Sequence, residues 1–174
     1  MKHVYIVNGM GGCGKDTFAR FLKKFVPGTV KFSSIDRVKI VAGFCGWSGG
    51  KTERDRKFLS DLKCLLTEYN DTPFEYIKSA VESWSRYDST RAILIDIREP
   101  EEIARAVKEF NAKTILIHND RVPHIHSNMA DANVFNYEYD FVIKNNGTFE
   151  EFEANIKRFA KMEGLIDERD ARAC

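Results

Sequence analysis

The sequence predicts a three-layer α/β protein, in which a parallel sheet is covered by helices on both faces. Three observations carry this. Five short apolar runs recur along the 174 residues, and segments of helical period separate them. The runs are mostly apolar throughout rather than alternating, as strands buried on both faces are. A cluster of glycines then lies between the first such run and the first helical segment, "VNGMGGCGKDT" from Val7 to Thr17.

Taken in order, "HVYIVN" (3–8) is β-branched and short and reads as a buried strand. "KDTFARFLKKF" (15–25) puts Phe18, Phe21, Leu22 and Phe25 at helical spacing, and Pro27-Gly28 stop it. "TVKFSS" (29–34) is a second strand. "IDRVKIVAGF" (35–44) is a helix closed by Gly43 or Gly46, and "WSGGK" (47–51) is a loop. In "TERDRKFLSDLKCLLTEYN" (52–70), Phe58, Leu62, Leu65, Leu66 and Tyr69 are expected on one helical face. Pro73 opens a further helix, to about Tyr87. "AILIDI" (92–97) is the most hydrophobic strand, and "EPEEIARAVKEF" (99–110) is a helix with Pro100 in its first turn. "KTILIHN" (113–119) and "YDFVIKN" (139–145) complete the strands, with an irregular stretch at 120–137 between them. "TFEEFEANIKRFAKM" (148–162) is an amphipathic helix whose Thr148 and Glu151 form a capping box. Residues 1–164 are expected to form one domain, with a charged, frayed tail from Leu165 to 174.

Composition excludes some classes of function. The 27 basic and 26 acidic residues nearly cancel, which gives no support to a surface for nucleic-acid polymers. No apolar stretch approaches the roughly 20 residues that span a bilayer. The four cysteines, Cys13, Cys45, Cys64 and Cys174, contain no C-x-x-C pair, so neither zinc nor a disulfide framework is indicated. No signal peptide is expected, since "HVYIV" runs straight into the glycines. A reducing cytoplasm is the simplest setting, the host's if the chain is viral.

Gly9, Gly11, Gly12 and Gly14 followed by Lys15 nearly match G-x-x-x-x-G-K-[ST], in the strand-to-helix context that gives this pattern meaning. Backbone N–H groups along Gly11, Gly12, Cys13 and Gly14 can converge on an anion, and the start of the helix adds its positive end. Lys15 supplies a charge for β- and γ-phosphates. Asp16 departs from the pattern, which has a hydroxyl there. Beside a triphosphate a bare carboxylate is repelled, but an intervening Mg²⁺ makes it attractive. The preferred reading is therefore a metal-side acid; the alternative is a first-turn acid that suits its own helix dipole. Thr17 can bond an α-phosphate oxygen.

Together "GKDT", "FSSIDRVK", "GWSGGKTERDRKFLSDLK", "ILIDIREPEEI" and "YDFVIKNNGTFEEFE" resemble the P-loop nucleoside monophosphate kinases, in particular the phage and bacterial deoxynucleoside monophosphate kinases. The resemblance covers residues 3 to about 160. It implies a five-stranded parallel sheet of order 2-3-1-4-5, an acceptor-binding helical region at about 36–90, and a lid at about 120–137. It places Ser34, Asp36 and Lys39 at the acceptor pocket, although Asp36 serves equally as a helix cap. It favours Arg56 over Arg54 for the acceptor phosphate, with Lys51 nearby; a solvated charged face is the alternative. Asp96, at the end of a central strand, is expected beside the acceptor and Mg²⁺, or else as a helix cap. Arg98 is expected on the acceptor phosphate, or else paired with Glu99 or Glu102. Arg121 is the lid's one arginine. His124 and His126 read as ordinary polar residues rather than metal ligands. Asn146 and Gly147, within "NNGT", lie where related kinases hold adenine. Trp47 and Trp84 fill core or stack on a base, core being preferred.

The function expected is transfer of the γ-phosphoryl of ATP, with Mg²⁺, to a (deoxy)nucleoside monophosphate, giving the diphosphate. Lys15, Arg98 and Arg121 are the expected catalytic cations. The alternatives are a kinase of another phosphorylated small molecule, such as dephospho-coenzyme A, and a non-catalytic nucleotide-binding module. Monomer and homodimer both remain open.

Overall fold

The computed structural model describes residues 2–122 and 133–166. Five parallel strands form one sheet: β1 (His3–Asn8), β2 (Thr29–Ser33), β3 (Ala92–Asp96), β4 (Lys113–His118) and β5 (Phe141–Lys144). Their order is β2-β3-β1-β4-β5, the order the resemblance implied. Six helices occur among the described residues: α1 (Lys15–Phe25), α2 (Asp36–Phe44), α3 (Glu53–Asn70), α4 (Thr72–Ser85), α5 (Pro100–Phe110) and α6 (Phe149–Met162). None of them is long and apolar enough to cross a membrane.

Strand alternation divides the core between the two faces of the sheet. Tyr5, Val7 and Leu94 face one way and meet Phe18 and Leu22 of α1 and Phe152, Ile156 and Phe159 of α6. Ile6, Ile93 and Ile95 face the other way and meet Phe74 and Ile77 of α4 and Ile103 of α5. The β1–β3 register sets Val7 level with Asp96, and the β2–β3 register sets Ser33 level with the same residue. Three strand ends therefore meet at the carboxyl edge of the sheet, where open α/β folds bind ligands.

Local signals fix the helix ends. Thr148 accepts from the Glu151 amide while Glu151 caps back onto Thr148, the expected capping box. Thr52 and Asp55 form a second box at the start of α3. α2 runs through Gly43 and ends at Phe44, with Cys45 as its cap and Gly46 just beyond.

Three expectations are corrected. On α3 it is Leu59 that is buried, with Leu62, Leu66 and Phe58 packed against Val38 and Ala42 of α2, whereas Leu65 and Tyr69 are exposed. The inward stripe follows 59-62-66, and Leu65 and Tyr69 stand on the neighbouring ridge. Trp47 packs against this small cluster, but Trp84 is exposed and lies against Tyr87. Leu165 belongs to the core: it is buried, and its amide bonds the Ala160 carbonyl. Within the stretch expected to be a lid, Val134 is fully buried in the first cluster, and Val122 packs against the same cluster. Both points fasten the ends of that stretch to the core. The middle of that expected lid, with His124 and His126, lies outside the described residues, as do residues 167–174.

Candidate active site

The glycine loop joins β1 to α1 at the carboxyl edge. Gly14 caps α1 with φ at 109°, and a Cβ there would meet the Asn145 amide nitrogen at 2.6 Å. Gly9, with φ at 148°, has the Ile117 carbonyl oxygen at 2.5 Å from its Cβ position. Glycine is required at both positions by conformation and by close approach. Gly11 and Gly12 are exposed, Thr17 is half-buried, and Cys13 is buried, which pushes its thiol pKa up. Lys15 Nζ donates to the carbonyls of Gly9 (2.6 Å) and Met10 (3.0 Å), so the side chain folds over its own loop.

Asp16 does not stand alone. Lys31, in the middle of β2, donates from its Nζ to Asp16 Oδ1 and also pairs with Asp96 Oδ2 at 2.8 Å. One ammonium thus bridges the first turn of α1 and the end of β3. The Lys31 hydrogen bond holds the Asp16 carboxyl below its usual range. Burial pushes the Asp96 carboxyl up, against the attraction of Lys31. Burial also opposes the charge on Lys31, but the two carboxylates outweigh it and raise its pKa. Sequence reasoning missed Lys31. The available signal was a lysine inside a strand expected to be covered on both faces, where a charge requires a counter-charge.

Asp96 Oδ1 is buried with no hydrogen-bond partner. No group of three or more His, Cys, Asp or Glu side chains suited to a metal occurs among the described residues. Two carboxylates, one with an unused oxygen, fit Mg²⁺ as nucleotide sites hold it, through one or two acids with water and phosphate completing the shell.

Where the resemblance places the acceptor, Ser34 is buried and its amide donates to the Asp96 carbonyl (3.2 Å). Asp36 braces the turn, accepting from the Ser33 amide at 2.7 Å, and its other oxygen lies 3.7 Å from Lys39 Nζ. Asp96 does not cap α5, because Glu99 holds that position. Arg98 is half-buried, and its carbonyl accepts from Asn8 Nδ2 (3.2 Å). Glu99 and Glu102 both hold Lys63, at 2.7 and 2.6 Å. Lys51, Arg54 and Arg56 are exposed at the start of α3.

The far wall is the loop after β5. Asn145 Nδ2 donates to the Cys13 carbonyl (2.9 Å) and so ties this wall to the glycine loop, a contact the sequence reading did not single out. Arg121 Nη2 donates to the carbonyls of Asn145 (3.2 Å) and Gly147 (3.0 Å). Asp120 bonds Asn146 through both its amide and its carboxylate, and also takes His118. A separate concavity of about 520 Å³, lined by Lys2, His3, Arg91 and Leu165, lies at the amino edge of the sheet, away from these groups.

No family model matches the chain, and no curated protein matches it. Solved structures do. A tunicamycin resistance protein from Deinococcus radiodurans is 14% identical, with 95% of this chain and 98% of that one covered, at a TM-score of 0.58. A dephospho-CoA kinase from Campylobacter jejuni is 16% identical over 92% and 97%, at 0.54. A thymidylate kinase from Candida albicans is 11% identical over 96% of each chain, at 0.50. The fold is that of the P-loop kinases. In this P-loop kinase fold the glycine loop after β1 and the carboxylate ending β3 are neighbours because the sheet order sets β1 beside β3.

Proposed function

We propose that the protein transfers the γ-phosphoryl group of ATP to a small phosphorylated acceptor, a (deoxy)nucleoside monophosphate, giving the diphosphate. The observation that carries this reading is the Lys15-bearing glycine loop at the carboxyl edge of the sheet, with Asp16 and Asp96 beside it. The phosphates of ATP rest on the amides of residues 11–16. Lys15 exchanges the neutral Gly9 and Met10 carbonyls for anionic oxygens, a stronger pairing. Asp16 and Asp96 would hold Mg²⁺, which would supply charge neutralisation at the phosphates. Arg98 takes the acceptor phosphate, with Arg56 and Lys51 reaching from α3. Arg121 leaves the 145–147 backbone to meet the transferring group, while Asn146 and Gly147 line the adenine side. No covalent intermediate is needed, since positioning and charge suffice for phosphoryl transfer.

A second reading keeps the donor chemistry and changes the acceptor. It has the support of likeness to a dephospho-CoA kinase, which is no weaker than that to a thymidylate kinase. A coupled assay with ATP across nucleoside monophosphates, dephospho-coenzyme A and phosphorylated sugars separates the two. In that assay Lys15→Ala should lower turnover at least about a hundredfold, the scale of losing one transition-state donor. Circular dichroism should stay that of the wild type. Undiminished turnover in the variant overturns the mechanism.

A further inference from the structure

We propose that Lys31 is the resident cation of the Asp16–Asp96 pair and excludes free divalent metal from it, so that metal enters only together with a polyphosphate. Lys31 lies in the middle of β2 and its side chain is three-quarters buried, yet its ammonium reaches two carboxylates on two other elements. The pair carries two negative charges. Lys31 supplies one positive charge, and Lys15 acts on both carboxylates with another. A hydrated dication approaching this cluster meets little net attraction. It must also displace an ammonium already bonded to both acids, and Mg²⁺ gives up water reluctantly. A polyphosphate changes that balance, because it adds several negative charges at the loop and engages Lys15. The unused Oδ1 of Asp96 then offers an acceptor for the metal or its water.

The polyphosphate part of this proposal rests on the reading above; the exclusion of free metal does not. The test is a Mn²⁺ titration of the full chain without nucleotide, with free Mn²⁺ read by electron paramagnetic resonance. Lys31→Gln should bind one Mn²⁺ about tenfold more tightly than the wild type, since a unit charge has left the site. Lys31→Arg should remain as weak as the wild type, and Lys31→Gln combined with Asp96→Asn should return to weak binding. Equal affinity in Lys31→Gln and the wild type overturns the proposal. Should Lys31→Gln not fold, the wild-type protein with ¹³C-methylated lysines gives the answer. Its Lys31 signal should move with Mg²⁺ plus inorganic tripolyphosphate and stay put with the same Mg²⁺ alone. A signal that moves with Mg²⁺ alone, or with neither, overturns it. The kinase reading is judged by turnover, which none of these arms uses.

Discussion

Gly14 is the residue at which backbone and site are hardest to separate. Its φ of 109° disfavours any side chain, and a Cβ would press on the Asn145 amide that holds the Cys13 carbonyl. Gly14→Ala should cost about 1–3 kcal/mol, the range for a strained non-glycine conformation, and should loosen the loop from its far wall. Chemical denaturation measures the first effect and ATP binding the second; a variant as stable as the wild type would refute the strain. Asp16 predicts the opposite pattern. Its side chain is exposed, so losing the Lys31 pair in Asp16→Asn should shift stability by less than about 1 kcal/mol. The half-saturating Mg²⁺ for turnover should nevertheless rise, and an unchanged value would leave Asp16 as a partner of Lys31 and nothing more. The glycines and Lys15 were legible in the sequence because a loop is a local object. Lys31 was not, because its two partners come from other elements: the β2–β3 register brings Asp96 close, and the seat of α1 on the sheet brings Asp16.

At the scale of elements, α3 is clasped to α5 by Lys63, whose side chain is mostly buried between Glu99 and Glu102. Burial pushes the Glu102 carboxyl up to about 7, against the attraction of Lys63; burial also pushes on Glu99, but there Lys63 outweighs it and holds the carboxyl below its usual value. An acid whose pKa is higher folded than unfolded holds its proton better in the folded state. Its stabilising contribution is therefore present below the unfolded carboxylate value of 4.5 and is lost as pH rises toward about 7. Relative to the wild type, Glu102→Gln should gain stability across that window, by about 1–2 kcal/mol. Urea unfolding at pH 4.5 and pH 7.5 checks it, and a difference independent of pH would refute the assignment. The α3 helix itself was legible from its caps and length. Its inward face was not: five apolar residues were assigned to one face of an 18-residue helix that presents two ridges, and only its partner α2 selects between them. Trp84 was misread for a related reason, since aromatic character alone does not say whether anything lies above the ring.

At the scale of the whole molecule, the two large clusters grip the sheet from both faces, whereas α2 and α3 share a third, small one. Its buried members are Val38, Ala42 and Leu59. Around them Ile40, Phe44, Leu65 and Tyr69 are exposed, so much of the apolar surface of this helix pair contributes nothing to holding it down. The order β2-β3-β1-β4-β5 and the two main clusters were legible, from the apolar runs and the family resemblance together. The looseness of α2–α3 was not, because it depends on which residues find partners. Free energy of opening follows buried apolar contact, so the molecule should open in two stages. The amides of α2 and α3 should exchange through a subglobal opening, with a lower free energy than those of β1 and β3, which exchange only on global unfolding. Leu59→Ala, at the centre of the small cluster, should cost about 2–3 kcal/mol in that opening, toward the low end for a buried leucine. It should leave the β3 amides less affected than those of α3. On the proposed function, which gives Arg56 and Lys39 to the acceptor, adding a nucleoside monophosphate should raise protection in α3 first. Native-state hydrogen exchange resolved by residue makes the comparison. Equal protection in α3 and β3 would mean that the small cluster and the Lys63 clasp bind these helices as firmly as the main core, and the two-stage opening would fall with it.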